Sequence, residues 1–183
     1  MVDESGKRDI EGGVLSREQI RRLIEEGERP LLSGFVDLEA QLQPNGIDLT
    51  LREIRTYAGQ GQIGARSEDR QLPDLGPLAF DTDGWIALEP GPYHIVYNEI
   101  VSLPGALMAL GRPRSSLGRS GVTIHTAVWD AGYSGRSTSL LSVLNPDGFR
   151  VQRNARVMQL VFVGMAAETT FGYQGQYQSE NIG

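Results

Sequence analysis

The chain has 183 residues, a net charge of −6 and a hydrophobic fraction of 39%. This length suits one globular domain, because domains cluster at roughly 100–200 residues. The acidic balance argues against non-specific binding to a nucleic-acid backbone, which needs clustered Lys and Arg. The absence of cysteine excludes disulfides, thiolate catalysis and cysteine metal sites, and two histidines are too few for a three-histidine metal site.

The first 13 residues, MVDESGKRDIEGG, are polar and charged and predict a mobile N-terminal arm over 1–13. They lack the apolar region of a signal peptide. No apolar run in the chain approaches the ~20 residues that a transmembrane helix needs. Together these features predict a cytoplasmic protein that binds neither a membrane nor nucleic acid.

The residues after this arm predict a short helix. Ser16 is suited to be its N-cap, and Gln19, three residues later, to be its capping-box partner. Leu15 and Ile20 are spaced as a hydrophobic staple across that cap. Gly27 is suited to end the helix.

The rest of the chain is typical of β structure with many turns. Its 23 glycines and 9 prolines are too many helix breakers for a helical bundle. Alternating apolar and polar residues over 47–52 indicate a half-buried strand, and 58–84 predicts a long loop with short β pieces. Further strands are predicted over 85–89, 93–97, 99–103, 106–111, 122–126, 138–145, 149–152 and 157–163. Many short strands at this spacing predict a β-sandwich or barrel.

Residues 111–121, GRPRSSLGRSG, combine arginines, serines and glycines. Guanidinium groups, hydroxyls and accessible backbone amides are what a polyphosphate needs. Ser115 or Ser116 could also cap a short helix there. The segment lacks the Gly-Lys-Ser/Thr ending of a Walker A loop. A capped turn with solvated arginines is the alternative interpretation.

Residues 126–136, TAVWDAGYSGR, predict a hairpin around a tight turn that contains glycine. Asp130 lies where the first strand is expected to end, and a carboxylate there can activate a water as a general base. Tyr133 follows beside two glycines that allow a ligand to approach closely, so its ring could pack under a sugar. Alternatively, Asp130 caps the turn and Tyr133 packs at the surface.

The polar, aromatic tail over 171–183 reads FGYQGQYQSENIG. Such a segment can stay mobile and close over a ligand, or it can be a frayed terminus. His94 and His125 lie on predicted strands and are interpreted as packed histidines. Asp48, which follows the turn signal Pro-Asn-Gly, is interpreted as a structural residue that holds a neighbouring loop.

In chain order, these segments resemble the dUTPase and dCTP deaminase superfamily. The resemblance covers about residues 14–183 and is carried by the motifs LSREQI, QPNGIDL, RSSLGR, DAGYSG, RVMQLVF and the tail Tyr-x-Gly-x-Tyr-Gln. The helical start, QPNG and the tail are most similar to the deaminase branch, which includes archaeal-type dUTPases. The tail lacks the Arg-Gly-Gly-Phe-Gly arm of ordinary trimeric dUTPases.

The resemblance implies an all-β fold, a distorted β-barrel or jelly-roll-like subunit with a short N-terminal helix. Residues 14–168 would form this β domain and 169–183 a lid over the active site. The resemblance also implies a homotrimer with active sites shared between subunits. One Mg²⁺ would be held mainly by the substrate phosphates rather than by a protein cage.

The site residues follow from the same resemblance. Asp130 would be the catalytic residue, Tyr133 would pack under the deoxyribose and exclude a 2′-hydroxyl, and the backbone of 126–130 would read the pyrimidine. The remaining substrate-binding residues would be Arg114, Ser115, Ser116 and Arg119 on the triphosphate, Gln159 on a phosphate, and Tyr173, Tyr177 and Gln178 closing over the nucleotide.

The residues of the predicted strand over 138–145 favour hydrolysis over deamination. Deaminases of this family carry a glutamate in a Leu-Glu-x-x-Asn pattern. Residues 141–145 here read LSVLN, which places Ser142 at the glutamate position. The spacing between Asp130 and this pattern differs from that of the deaminases by two residues. A serine cannot serve as a carboxylate base. We therefore expect hydrolysis of dUTP to dUMP and pyrophosphate, with an Asp130-activated water attacking the α-phosphorus. The alternatives are a dCTP deaminase, a bifunctional dCTP deaminase/dUTPase, and a non-catalytic deoxynucleotide-binding module.

Overall fold

The structure is a computed structural model that describes residues 12–27 and 29–182. Most of the predicted arm over 1–13, and the last residue of the predicted lid, lie outside this range. Among the residues described, no helix is long and apolar enough to cross a membrane.

The described residues form three short α-helices, one 3-10 turn and fourteen strands. The helices are α1 (Arg17–Glu25), α2 (Leu38–Gln41) and α3 (Ser115–Arg119), and the 3-10 turn spans Ser67–Asp69. The strands are β1 (Gly13–Val14), β2 (Leu32–Ser33), β3 (Leu42–Gln43), β4 (Gly46–Ala58), β5 (Asp74–Pro77), β6 (Trp85–Leu88), β7 (Gly91–Tyr97), β8 (Ile100–Ser102), β9 (Leu107–Pro113), β10 (Val122–His125), β11 (Ser134–Gly135), β12 (Thr138–Val143), β13 (Phe149–Gln152) and β14 (Arg156–Gly164).

Helix α1 begins as the sequence predicts. Ser16 is the N-cap, its hydroxyl accepts from the Gln19 backbone N–H at 3.4 Å, and the Gln19 side chain accepts from the Ser16 N–H at 2.9 Å. Both staple residues, Leu15 and Ile20, are buried in the core. The helix ends at Glu25, shortly before Gly27.

The strands form one large curled sheet and two small ones. The large sheet runs β1-β14-β4-β7-β12-β10, with β3 and β5 added on β4 and β9 on β14. β11-β8-β2 and β13-β6 form the small sheets, and every strand pair is antiparallel. The curled sheet closes half of a barrel, so the prediction of an all-β, barrel-like fold is confirmed.

Strand β4 is more deeply buried than its alternating pattern predicts. Residues 46–51 are all buried, so the polar side chains of Asp48 and Thr50 are enclosed as well as the apolar ones. In this half, β4 has the strands β3 and β14 as partners, and helices α1 and α2 also contact the strand. The interpretation of this strand as half-buried is therefore wrong.

The chain after α1 is not purely strand. Helix α2 was not predicted, and the short helix predicted near Ser115 is present as α3, but its N-cap is Arg114 rather than a serine. The long loop is confirmed: after β4 ends at Ala58, one 3-10 turn and strand β5 interrupt it.

A buried carboxylate joins three segments of this framework. Glu99, which is fully buried, accepts hydrogen bonds from the Gln41 side chain at 2.7 Å and from the Thr50 backbone N–H and hydroxyl at 2.9 and 2.5 Å. Burial raises the pKa of Glu99, and the hydrogen bonds from Thr50 offset part of that shift. The carboxylate thereby ties α2 and β4 to the start of β8.

We predict that Glu99→Gln lowers stability. The amide has one acceptor oxygen where the carboxylate has two, so a buried donor of Gln41 or Thr50 loses its partner at a cost of about 1–3 kcal/mol. For a chain of this size, each kcal/mol lowers the unfolding midpoint by roughly 2–4 °C. Thermal unfolding at a fixed protein concentration measures this shift. Glu89→Gln, at an exposed position, is the matched control, and equal midpoints for the two variants would contradict the prediction.

Candidate active site

A cavity of about 310 Å³ lies between the segment 127–130 and the C-terminal tail. This volume is at the lower end of small-molecule pockets, which span roughly 300–1,000 Å³. Asp130 and Tyr133 line it together with Tyr173, Tyr177 and Glu180 of the tail. The structure thus brings together four of the site residues that the sequence analysis selected.

Asp130 and Tyr133 are the two ends of one tight turn. The Tyr133 N–H donates to the Asp130 carbonyl at 3.1 Å, and Gly132 between them has φ +84°. A positive φ at the third position of a turn favours glycine. A Cβ at Gly132 would also lie 3.0 Å from the backbone of Gly172 and Tyr173, so glycine is needed both for the turn and for the approach of the tail.

The two arms of this turn pair with different strands. Trp129 bridges to Ala109 of β9, whereas β11 pairs with β8, Ser134 opposite Ser102. The prediction of a hairpin over 126–136 is therefore wrong, because partners distant in sequence satisfy the backbone on each side. The turn itself is confirmed, and it leaves Asp130 exposed while Tyr133 is buried.

Trp129 and Ser137 form another wall of the cavity. The buried indole N–H of Trp129 donates to the Ser137 hydroxyl at 2.9 Å. Behind the indole lies Gly111, where a Cβ would come within 3.0 Å of the ring. The wall is therefore apolar and fixed, which suits a flat ligand.

Two contacts with the tail hold the ring of Tyr133. Its centroid lies 5.7 Å from that of Tyr173 in an edge-to-face arrangement, and its hydroxyl donates to Glu180 Oε1 at 2.9 Å. Burial, together with the Glu180 carboxylate, raises the pKa of Tyr133 well above its usual value, so the phenol stays protonated and donates. The ring can form a rigid apolar surface in the cavity.

The tail lies along the turn through backbone hydrogen bonds. Tyr173 N–H donates to the Ala131 carbonyl at 2.8 Å, Ser179 N–H to the Ser134 carbonyl at 2.7 Å, and Arg136 N–H to the Glu180 carbonyl at 2.9 Å. These bonds hold the tail over the cavity of its own subunit.

Gln178 takes part in the same docking. Its side-chain oxygen accepts from the Ser134 N–H at 2.9 Å and its amide donates to the Gly132 carbonyl at 3.0 Å. Both ends of the side chain are thus engaged with 132–134. In this conformation Gln178 anchors the tail.

The predicted phosphate-binding segment lies elsewhere on the subunit. Ser115, Ser116 and Arg119 are exposed on α3, and Arg114 precedes that helix. Neither these four residues nor Gln159 line the cavity that holds Asp130. Within one chain, the predicted triphosphate ligands therefore do not share the cavity of the predicted base.

A buried aspartate contacts Arg114 at the start of that segment. Asp48 Oδ2 lies 3.4 Å from Arg114 Nε and 3.4 Å from Arg156 Nη1. Burial raises the pKa of Asp48 and the two guanidinium groups oppose that shift. Gln159 is the cross-strand partner of Asp48 between β14 and β4, so the strand position of Gln159 is next to the aspartate that contacts Arg114.

The described residues offer few metal ligands and few bases at this site. No group of three or more His, Asp or Glu side chains within them could hold a metal ion. The carboxylates that line the cavity are Asp130 and Glu180. Ser142 lies on β12 between Thr123 and Pro92 of the neighbouring strands and does not line the cavity.

The histidines lie away from these groups. His94 is half-buried on β7 against Tyr57, with a pKa lowered by burial, and His125 is exposed at the end of β10. His94 is packed as interpreted, whereas His125 is not.

Sequence reasoning missed Glu180, Ser137 and Arg156. Glu180 lies in a polar tail where no local pattern distinguishes it, and Ser137 is one of many serines. The only sequence feature that could indicate a role for Arg156 is its position at the start of the strand that contains Gln159.

Comparison with known proteins places the chain in a family. Residues 14–165 match the family model described as dCTP deaminase-like. The “Probable deoxyuridine 5′-triphosphate nucleotidohydrolase” of Methanosarcina mazei is 51% identical over 92% of this chain and 98% of its own length. The protein of the same name from Archaeoglobus fulgidus is 44% identical over 92% of this chain and 98% of its own length.

A solved structure supports the fold. The 2′-deoxycytidine 5′-triphosphate deaminase from Agrobacterium tumefaciens superposes with a TM-score of 0.62 at 24% sequence identity, covering 84% of this chain. This chain spans 49% of that protein's length. From the model match and the archaeal relatives together, the chain belongs to the dCTP deaminase-like family.

Proposed function

We propose that this protein hydrolyses dUTP to dUMP and pyrophosphate, with Asp130 activating the water that attacks the α-phosphorus. The observation that carries the proposal is the turn that joins an exposed carboxylate to a buried, rigid tyrosine at one cavity. A carboxylate that keeps contact with solvent can accept a proton from water. The relatives named for dUTP hydrolysis, at 44–51% identity over 92% of the chain, support the same activity.

In this scheme the nucleoside lies in the cavity beside Asp130. The pyrimidine contacts the backbone of 126–130, and the deoxyribose packs on the Tyr133 ring, which leaves no room for a 2′-hydroxyl. Tyr173 and Tyr177 cover the nucleotide, with Gln178 anchoring the segment that carries them. We infer that 169–183 acts as a lid on the β domain of 14–168, and that the enzyme works in the cytoplasm.

The triphosphate is bound by a second subunit. Arg114, Ser115, Ser116 and Arg119 do not line the cavity of their own chain, yet they are the groups best suited to bind phosphates. A homotrimer whose subunits exchange these surfaces completes each site, with Gln159 reaching a phosphate from the same side. Asp48 fixes Arg114 in this arrangement through the contact at 3.4 Å.

The substrate phosphates would be the main ligands of a magnesium ion at this site. Because the described residues contain no cluster of three or more metal-ligating side chains, the ion is held mainly by the phosphates, as Mg²⁺ commonly is in nucleotide sites. When bound, the magnesium ion would neutralise charge on the departing pyrophosphate. Arg114 and Arg119 contribute the same stabilisation from the protein.

Deamination of dCTP is the second candidate, and the composition of β12 disfavours it. A deaminase of this family needs a glutamate on that strand, and no acidic residue occurs anywhere between Asp130 and Asp147. The two-residue length difference therefore does not matter, since every alignment of β12 lacks the carboxylate. A binding module without turnover has no observation in its favour.

Asp130→Asn should abolish turnover. The amide cannot accept a proton from water, so we expect kcat to fall about 10²–10⁴-fold while dUTP still binds. Pyrophosphate release measures the rate and equilibrium dialysis measures the affinity. Asp147→Asn, in an exposed turn, is the matched control. Unchanged turnover in Asp130→Asn would show that this carboxylate is not the base.

If two subunits contribute to each active site, two inactive variants should restore activity when they are mixed. Arg119→Ala and Asp130→Asn should each be nearly inactive, but subunits mixed at equal amounts should regain activity, because some sites combine Asp130 from one variant with Arg119 from the other. Random assortment gives about a quarter of the wild-type activity. Sedimentation of the wild type should show a trimer. A mixture no more active than its components would mean that each site belongs to one chain.

Product analysis separates the reaction classes. With Mg²⁺ present, we expect dUMP from dUTP and no change in dCTP, as measured by mass spectrometry. The appearance of dUTP or dUMP from dCTP would overturn the interpretation of β12. Tight binding of dUTP without any product would favour the binding module instead.

A further inference from the structure

Glu180 is a second carboxylate at the cavity, and it has no role in the scheme above. It is half-buried, and its side chain lines the cavity beside Tyr133. Among the described residues its side chain has no salt-bridge partner, and its hydrogen bond goes to the Tyr133 hydroxyl at 2.9 Å. Burial raises the pKa of Glu180, which shows that this position carries a desolvation cost.

The backbone around Glu180 is held independently of the side chain. Its carbonyl accepts from Arg136 N–H at 2.9 Å, and the preceding Ser179 N–H donates to the Ser134 carbonyl at 2.7 Å. On the other side, Asn181 donates from its side chain to the Arg136 carbonyl at 3.0 Å. Loss of the Glu180 carboxylate therefore leaves the tail docked and removes one contact, the one to Tyr133.

That contact acts at the hydroxyl end of a ring whose remaining restraints are packing contacts in the core. The backbone of Tyr133 is fixed by the turn, and Tyr173 touches its ring edge-on, but the hydroxyl end is held by Glu180. Gly135 lies against this pair, since a Cβ there would come within 2.6 Å of the Tyr133 hydroxyl and 3.2 Å of Glu180 Cγ. Glycine at 135 thus makes room for the hydrogen bond.

We infer that Glu180 is a positioning residue that fixes the Tyr133 ring through its hydroxyl and so sets the width of the cavity at the sugar. The inference rests on the proposed function, in which this ring packs under the deoxyribose. A fixed ring excludes the 2′-hydroxyl of a ribonucleotide, whereas a ring free to tilt admits it. Glu180 thereby contributes to affinity and to sugar selectivity and takes no part in proton transfer.

Three variants test this role in the full-length enzyme. Glu180→Ala removes the acceptor, Glu180→Gln keeps an acceptor oxygen without charge, and Tyr133→Phe removes the donor. Loss of a buried hydrogen bond to a charged group predicts that Glu180→Ala raises KM for dUTP roughly tenfold and lowers the preference for dUTP over UTP by a similar factor. kcat should stay within about twofold of wild type, because Asp130 is untouched.

The other variants distinguish positioning from a general structural role. Glu180→Gln should restore KM and selectivity close to wild type, and Tyr133→Phe should reproduce the rise in KM, with no further rise when combined with Glu180→Ala. Glu168→Ala, an exposed carboxylate outside the cavity, is the matched control and should leave both parameters unchanged. If Glu180→Ala does not fold, Tyr133→Phe carries the same test.

Each contrary outcome has a distinct meaning. Unchanged KM and selectivity in Glu180→Ala would overturn the inference, as would a Glu180→Gln variant as impaired as Glu180→Ala. A large loss of kcat in Glu180→Ala at constant KM would identify Glu180 as the base instead of Asp130. If the wild type does not hydrolyse dUTP, the proposed function fails, and equilibrium dialysis with dUTP and UTP then tests the positioning role separately.

Discussion

The positive φ of Gly132 is the constraint on which the candidate site depends. Because φ is +84° at this residue, the chain reverses within four residues, and Asp130 faces solvent while Tyr133 enters the core. The missing side chain also leaves room for the tail, since a Cβ at this position would lie 3.0 Å from the backbone of Gly172 and Tyr173. One residue without a Cβ thus lets Asp130 and Tyr133 occupy different environments and lets the tail pack against the turn.

The rest of the framework places the proposed ligand-binding groups in two regions of the chain. The turn, Trp129 and the tail line the cavity that we propose binds the nucleoside. The Arg114–Arg119 segment, which we propose binds the triphosphate, does not line that cavity, and its first residue contacts the buried Asp48 of β4. Burying a carboxylate is costly unless it is paired, and here the guanidinium groups of Arg114 and Arg156 both lie 3.4 Å from Asp48.

The available carboxylates limit the chemistry. Strand β12 has no acidic residue, so it cannot supply the proton shuttle of a deaminase. The carboxylates that line the cavity are those of Asp130 and Glu180. Their surroundings differ: Asp130 is exposed on the turn, whereas Glu180 is half-buried against a phenol and has a raised pKa. This difference supports the separate roles that we propose, in which Asp130 activates water and Glu180 fixes the Tyr133 ring.

The sequence by itself determined what depends on near neighbours. The capping box of Ser16 and Gln19, the turn at Gly132, the strand bounds of β13 and the lack of an acid on β12 are all readable within a few residues, because backbone sterics and local hydrogen bonds decide them. Only the tertiary structure decided which distant residues meet. It paired Trp129 with Ala109 and Ser134 with Ser102 in place of a hairpin, enclosed the polar side chains of β4, and brought Glu180 to Tyr133 across 47 positions. Such contacts depend on how the whole sheet curls, and a polar tail carries no local pattern that reveals its partner.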